Sequence, residues 1–184
     1  SKLPALEQTG AVVFDIGCGC GDLVQQIIAM SVTNGHALYL FDSAEMLDQI
    51  QCGDGIHKVA GFFPDESREL IQGAVGTVDA VLIYSVIQYV FGHSCLFGFL
   101  DVCLSLLKPG GRCLIGDIPN QSMRNRFFSS AAGIRTHQEF TQSTELPEVN
   151  YYNAAVGGID DSVVLSLATR ARNAGFHAFL MPQD

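Results

Sequence analysis

The stretch VVFDIGCGCGDL, residues 12–23, sets an apolar run directly against three glycines at alternate positions, Gly17, Gly19 and Gly21. Glycine loses more conformational freedom on folding than any other residue, so this density is costly inside a regular element. The turn must need bare backbone, either for positive φ or because a ligand lies against the main chain. A strand that runs into a glycine turn and then a helix is also the opening unit of an open α/β sheet.

The rest of the chain continues that rhythm. Short apolar runs at 11–16, 37–41, 56–61, 78–84 and 112–118 read as buried strands. Between them, 22–32, 43–51, the stretch from Pro64 to Gly73, and 96–107 read as helices. Asn34-Gly35 and Pro109-Gly110-Gly111 are stop signals. A last helix at 159–174 is followed by an apolar run at 176–181, read as a sixth strand. Alternation with short connections predicts parallel strands joined by crossover helices. The expected architecture is a doubly wound three-layer αβα sandwich with its ligand beyond the carboxyl ends of the strands, beside the first strand.

The chain has 184 residues, which predicts a single domain spanning 1–184. One insert interrupts the rhythm: 119–158 separates the fifth strand from its helix, and a connection that long is usually functional. Ten basic against 19 acidic side chains give a net charge of −9, with a pI near 4.8. A general nucleic-acid binder normally carries a basic footprint, and the bulk charge argues against one. No apolar run reaches the roughly 18–20 residues of a membrane span, and no signal peptide is visible. The chain begins close to its first strand, so an upstream segment could have been removed. The six cysteines form no CxxC pair and no Cys/His spacing suited to zinc, so no metal is expected. Reduced thiols in a cytoplasmic protein are the expectation. No motif fixes an oligomeric state.

The glycine spacing separates the candidate nucleotides. A dinucleotide fingerprint requires G-x-G-x-x-G, and here Asp22 stands where its third glycine would fall. That carboxylate would repel a pyrophosphate. Asp15, just before the turn, can accept a hydrogen bond from an ammonium group. The turn is better suited to a nucleoside with an amino-acid tail than to a diphosphate.

FDIGCGCG resembles the first motif of the class I S-adenosylmethionine-dependent methyltransferases, and LYLFDSAEML resembles their second-strand motif. VDAVLIYSVIQYV is similar to their fourth strand and following turn, and LLKPGGRCLIGD to the segment leading into the fifth strand. The four blocks occur in the family's order and cover most of 12–117. The resemblance implies a sheet of order 3-2-1-4-5-(7)-6, with the seventh strand absent from this chain. It implies S-adenosylmethionine as cofactor, with S-adenosylhomocysteine as product. Asp42, at the end of the second strand, would hold the ribose hydroxyls, and Met46 would pack on the adenine. Asp15, Gly17, Cys18, Gly19, Gly21, Ser43, Tyr84 and Ser85 would complete the cofactor site. The family often places an acid after the third strand. Here the stretch is GFFPD, so Phe62 or Phe63 is expected to supply packing or a backbone contact, with Asp65 a weaker substitute.

The reaction implied is methyl transfer to a small molecule, possible acceptors being acidic or sugar-like. Tyr84, Ser85, Gln88 and Tyr89 should project near the methyl group, and His137 in the insert and Asp117 are further candidates for a general base. His93 reads as a helix-start residue, and His36, His57 and His177 are assigned no role. Cys18 and Cys20 read as small residues that fit the turn. In the insert, Arg124, Arg126 and Tyr152 are the candidate acceptor-binding residues, in a lid rich in aromatic side chains. Three other readings compete: a nucleic-acid or protein methyltransferase, a non-catalytic S-adenosylmethionine-binding protein, and, disfavoured by the glycine spacing, a nicotinamide enzyme. The first lacks an Asn-Pro-Pro-Tyr-like motif.

Overall fold

The computed structural model describes residues 2–151 and 158–182. Five strands, β1 (Val12–Ile16), β2 (Ala37–Asp42), β3 (Ile56–Ala60), β4 (Val78–Tyr84) and β5 (Leu107–Gly116), form one sheet of order β3-β2-β1-β4-β5. Every pairing is parallel. The fold is a Rossmann-like α/β sandwich. The strand order reverses at β1, which pairs with β2 on one side and β4 on the other. A crevice therefore opens at the carboxyl end of β1, where doubly wound sheets bind ligands.

Parallel sheets need both faces covered, and the strand residues alternate between two cores. Val13, Leu38, Leu40, Ala80 and Leu82 face α1 (Asp22–Asn34) and α2 (Ala44–Leu47), through Val24, Ile27, Ile28 and Leu47. Phe14, Ile16, Phe41, Val81 and Ile83 face α3 (Arg68–Ala74), α5 (Leu96–Leu106) and α8 (Asp161–Asn173). Phe14 and Phe41 are each 1% exposed, and burial of side chains this size is worth roughly 1.5–3 kcal/mol apiece. His36 ties the first unit together. Its buried ring accepts from the Ala11 N–H at Nδ1 (3.0 Å), and Nε2 lies 3.2 Å from the Leu6 carbonyl oxygen.

Several elements differ from the sequence reading. The third helix begins after Ser67 rather than at Pro64, and Gly73 lies inside it. A helix, α4 (Ile87–His93), follows β4 directly, so His93 ends a helix rather than starting one. The Lys-Pro-Gly-Gly segment belongs to β5: Leu107 pairs with Val78 and Arg112 with Ala80, and the residues between them bulge out. The insert holds two helices, α6 (Gln121–Phe128) and α7 (Ala131–Thr141), each opened by a side-chain cap. Asn120 accepts from the Met123 N–H and Ser130 from the Gly133 N–H.

The sixth strand does not form. Residues 176–181 pair with no strand, and β5 is the sheet's edge among the described residues. An apolar run becomes a strand only where a ladder receives its backbone groups. Here they are taken locally: the Phe176 N–H donates to the Ala171 carbonyl, and the Arg172 guanidinium donates to the Ala178 carbonyl. Phe179, Leu180 and Met181 are exposed. No helix among the described residues is long and apolar enough to cross a membrane, and no cluster of three metal-ligating side chains occurs among them.

Candidate functional site

The glycine turn is fastened to the end of β2. The Gly17 and Cys18 N–H groups both donate to the Phe41 carbonyl, at 2.8 and 3.3 Å. The Gly19 N–H donates to Asp42 Oδ2 at 2.8 Å, and the Ser43 N–H to Asp42 Oδ1 at 2.7 Å. The three glycines answer different needs. Gly17 and Gly19 have φ of +71° and +61°, the left-handed region that favours glycine. Gly21 has an ordinary φ of −83° and caps α1, with open space where a side chain would sit. Of the three, only Gly21 has a φ that any residue could adopt.

Two carboxyl groups converge on this turn. Asp15 is 3% exposed, and burial, with the neighbouring Asp42 charge added, pushes its pKa up to about 7. No basic side chain among the described residues contributes to offsetting it. The same surroundings act on Cys18: burial first, then Asp15 and Asp42, push its thiol well above the ordinary range. It stays protonated at neutral pH, which removes it as a nucleophile. Met46 stands 40% exposed beside the turn, its sulfur 3.7 Å from Cys20 Sγ. Ser43 caps α2 by accepting from the Met46 N–H, which leaves Asp42 free of that duty.

Beyond β3 the two phenylalanines separate. Phe63 turns into the core, edge-on to Phe41 at 5.2 Å and to Phe99 at 5.6 Å. Phe62 is 81% exposed, its N–H held by Glu66. Only Phe62 of the pair is left for a ligand. Asp65 is paired with Arg68 on the surface.

On the other side of β1, Val86 packs against Gly17, and Ser85 and Asp117 face each other at the ends of β4 and β5. Both have positive φ, +58° and +51°, and the Ser85 hydroxyl donates to Asp117 Oδ2. Non-glycine residues in this region cost on the order of 1–3 kcal/mol, and such strain concentrates at functional sites. Tyr84 is half-buried, its ring lying over the Gly116 backbone. Tyr89 is 65% exposed. Gln88 Nε2 donates to the Ser85 carbonyl at 2.7 Å, while its Oε1 is buried with no partner among the described residues.

Gln88 also lines a half-open cavity of about 320 Å³, with Pro119, Asn120, Gln121, Arg124, Gly158 and Ile159. Of the predicted catalytic and acceptor-binding set, the structure therefore brings Gln88 and Arg124 together. Arg126 points elsewhere, its guanidinium taken by Asp161 at the start of α8. His137 lies edge-on to Phe128 at 6.0 Å and is absent from the cavity wall. Tyr152 lies outside the described residues. The sequence reading missed Asn120 and Gln121. Asn120 before an eight-residue helix is a capping signal that could have found the cavity's edge.

No protein-family model matches the sequence, and no curated protein matches it. Among solved structures, the chain is similar to an O-methyltransferase family 2 protein from Planctomyces limnophilus in complex with apigenin. That match has 16% identity and a TM-score of 0.49, covering 89% of this chain and 45% of the other. It is also similar to CalO1, a methyltransferase in calicheamicin biosynthesis in its SAH-bound form, at 13% identity and TM-score 0.46, covering 92% and 46%. A third is a mutant of the 16S rRNA (adenine(1408)-N(1))-methyltransferase from Catenulisporales acidiphilia, at 13% identity and TM-score 0.45, covering 92% and 70%. The chain spans less than half the length of the first two.

Proposed function

We propose that the chain is a methyltransferase domain that binds S-adenosylmethionine at the glycine turn and transfers its methyl group to a small molecule. One observation carries the reading: two carboxyl groups, Asp15 and Asp42, meet at a turn of bare backbone with no offsetting cation among the described residues. That arrangement repels a pyrophosphate and favours a ligand with positive charge. The residues fit the cofactor. Open space over Gly21 admits a ligand against the backbone. Each Asp42 oxygen accepts one N–H and keeps a lone pair for a ribose hydroxyl. Met46 and Phe62 offer exposed apolar surface for a base, and Asp15 offers a counter-charge for the amino-acid ammonium.

When bound, the sulfonium supplies an electrophilic methyl group, so the chain has mainly to align an acceptor and exclude water. Ser85, just after β4, and Gln88, in the first turn of α4, are assigned that task, since Val86 between them packs on Gly17. Asp117, holding the Ser85 hydroxyl, is the group best placed to receive a proton from the acceptor. Helices α6 and α7, in the connection after β5, are the candidate lid over the acceptor's entry side.

Calorimetry with S-adenosylmethionine, S-adenosylhomocysteine and NAD tests the reading. Binding of the first two and not the third is expected; tight NAD binding alone would overturn it. Methyl-labelled cofactor with a pool of small metabolites then separates turnover from binding. Asp42→Ala should weaken S-adenosylhomocysteine binding by about 1.5–3 kcal/mol, the scale of hydrogen bonds to a charged group, while the chain stays folded by circular dichroism. Unchanged affinity would remove Asp42 from the site.

A further inference from the structure

We propose that the cavity walled by Gln88, Asn120, Gln121, Arg124 and Ile159 seats the methyl acceptor, and that the acceptor is a small organic acid carrying an N–H or O–H donor. The proposal rests on the methyltransferase reading above. At about 320 Å³ the cavity is near the lower end of small-molecule sites, and Pro119 and Ile159 give it apolar walls. Two polar side chains on its wall define what it takes: the solvent-exposed Arg124, and Gln88, whose Oε1 lies just beneath the accessible surface. Arg124 stacks over the Phe128 ring, 4.9 Å from its centroid. No carboxylate forms an ion pair with Arg124 among the described residues. The ring holds the guanidinium in place while its N–H donors stay available. In a chain of net charge −9, an unpaired arginine at a cavity is a specific invitation to an anion.

The second group is Gln88. Its amide orientation is fixed, because Nε2 donates to the Ser85 carbonyl and a flip would set two oxygens against each other. Oε1 is consequently the buried atom without a partner. A buried unpaired acceptor is costly, so a ligand N–H or O–H that meets it gains affinity. One guanidinium matches a monoanion. A phosphate dianion would call for a second cation, and Arg126, two residues on, is already held by Asp161. Gln88 is the link from this cavity toward the glycine turn. Gln88 bonds to Ser85, and Val86 next to it packs on the glycine turn.

The test measures binding of 3-hydroxybenzoate and anthranilate, and of their neutral methyl esters, by saturation-transfer NMR. The protein is taken with and without S-adenosylhomocysteine. Each acid should bind about tenfold tighter than its ester, the scale of a charge-assisted contact. Arg124→Gln should erase that preference without changing S-adenosylhomocysteine affinity in calorimetry. Gln88→Met should weaken acids and esters alike. Equal binding of acid and ester, no binding of any probe to protein loaded with S-adenosylhomocysteine, or an acid preference that survives Arg124→Gln would overturn the proposal. An Arg124-dependent acid preference in protein that fails to bind S-adenosylhomocysteine would uphold the cavity as an acid site and sink the cofactor reading instead.

Discussion

Gly17→Ala is expected to abolish S-adenosylmethionine binding and to lower the melting temperature by about 6–12 °C, the scale of roughly 3 kcal/mol in a domain this size. Two costs add. A φ of +71° costs an alanine about 1–2 kcal/mol. A Cβ there would also fall far inside contact distance of Val86 Cγ2. Val86 is β-branched and cannot simply swing aside, so the turn must move. Moving it breaks the paired N–H donation to Phe41 and the Gly19–Asp42 bond, which together shape the ribose side of the site. Gly21→Ala is the contrast. Its φ is ordinary and nothing lies within 4 Å, so stability should hold while ligand affinity falls. Thermal denaturation and calorimetry on the two variants check this. A Gly17→Ala protein with wild-type stability and affinity would contradict it.

The second large effect concerns pH. Asp15 has its carboxyl pKa raised from 3.8 to about 7, by burial first and by Asp42 second. The folded chain therefore holds a proton on Asp15 that the unfolded chain releases between those values. Stability falls as pH rises through that window, by up to roughly 4 kcal/mol at 1.36 kcal/mol per unit, and the full cost is present above pH 7. A cationic ligand reverses the preference, because it favours the carboxylate and expels the proton on binding. S-adenosylmethionine affinity should consequently rise from pH 5.5 to 7, by up to about tenfold per unit, and level off above. Calorimetry in two buffers of different ionisation heat should detect a proton released below pH 7. Asp15→Asn should flatten the profile and raise the melting temperature at pH 8. A flat profile for the native chain would mean that Asp15 does not face the ligand's charge.

The sequence carried the central sheet well and its periphery poorly, and the reason is the range of the interactions involved. β4 was readable because the positions it buries on both faces, Val78 and Ala80 to Ile83, must be apolar. Gly17 and Gly19 were readable because positive φ selects their type. The run at 176–181 looked like a strand because apolar character is local, whereas a ladder depends on a partner elsewhere in the chain. The separation of Phe62 from Phe63 was invisible for a similar reason: both are aromatic, and only the positions of Phe41 and Phe99 decide which is drawn inward. Arg124 and Arg126 read as equivalent. Asp161, 35 residues further on from Arg126, makes them different. The Ser85–Asp117 pair joins two strand ends and has no local signature. The same holds for the Gln88 orphan, which is a property of its surroundings.

The position of β1 at the reversal of strand order also bears on how the chain is made. Its β2 edge can be closed early, since β2 begins at Ala37. Its β4 edge must wait for Val78, roughly 60 residues after β1 is complete. At ribosomal rates of about 5–20 residues per second, that interval is on the order of 3–12 s. During it, a half-built sheet of β1, β2 and β3 presents the unpaired backbone of Val13 to Ile16 along an open edge, flanked by apolar side chains on both faces. The strand at the heart of the finished site is thus the one most exposed to wrong partners while the protein is being born.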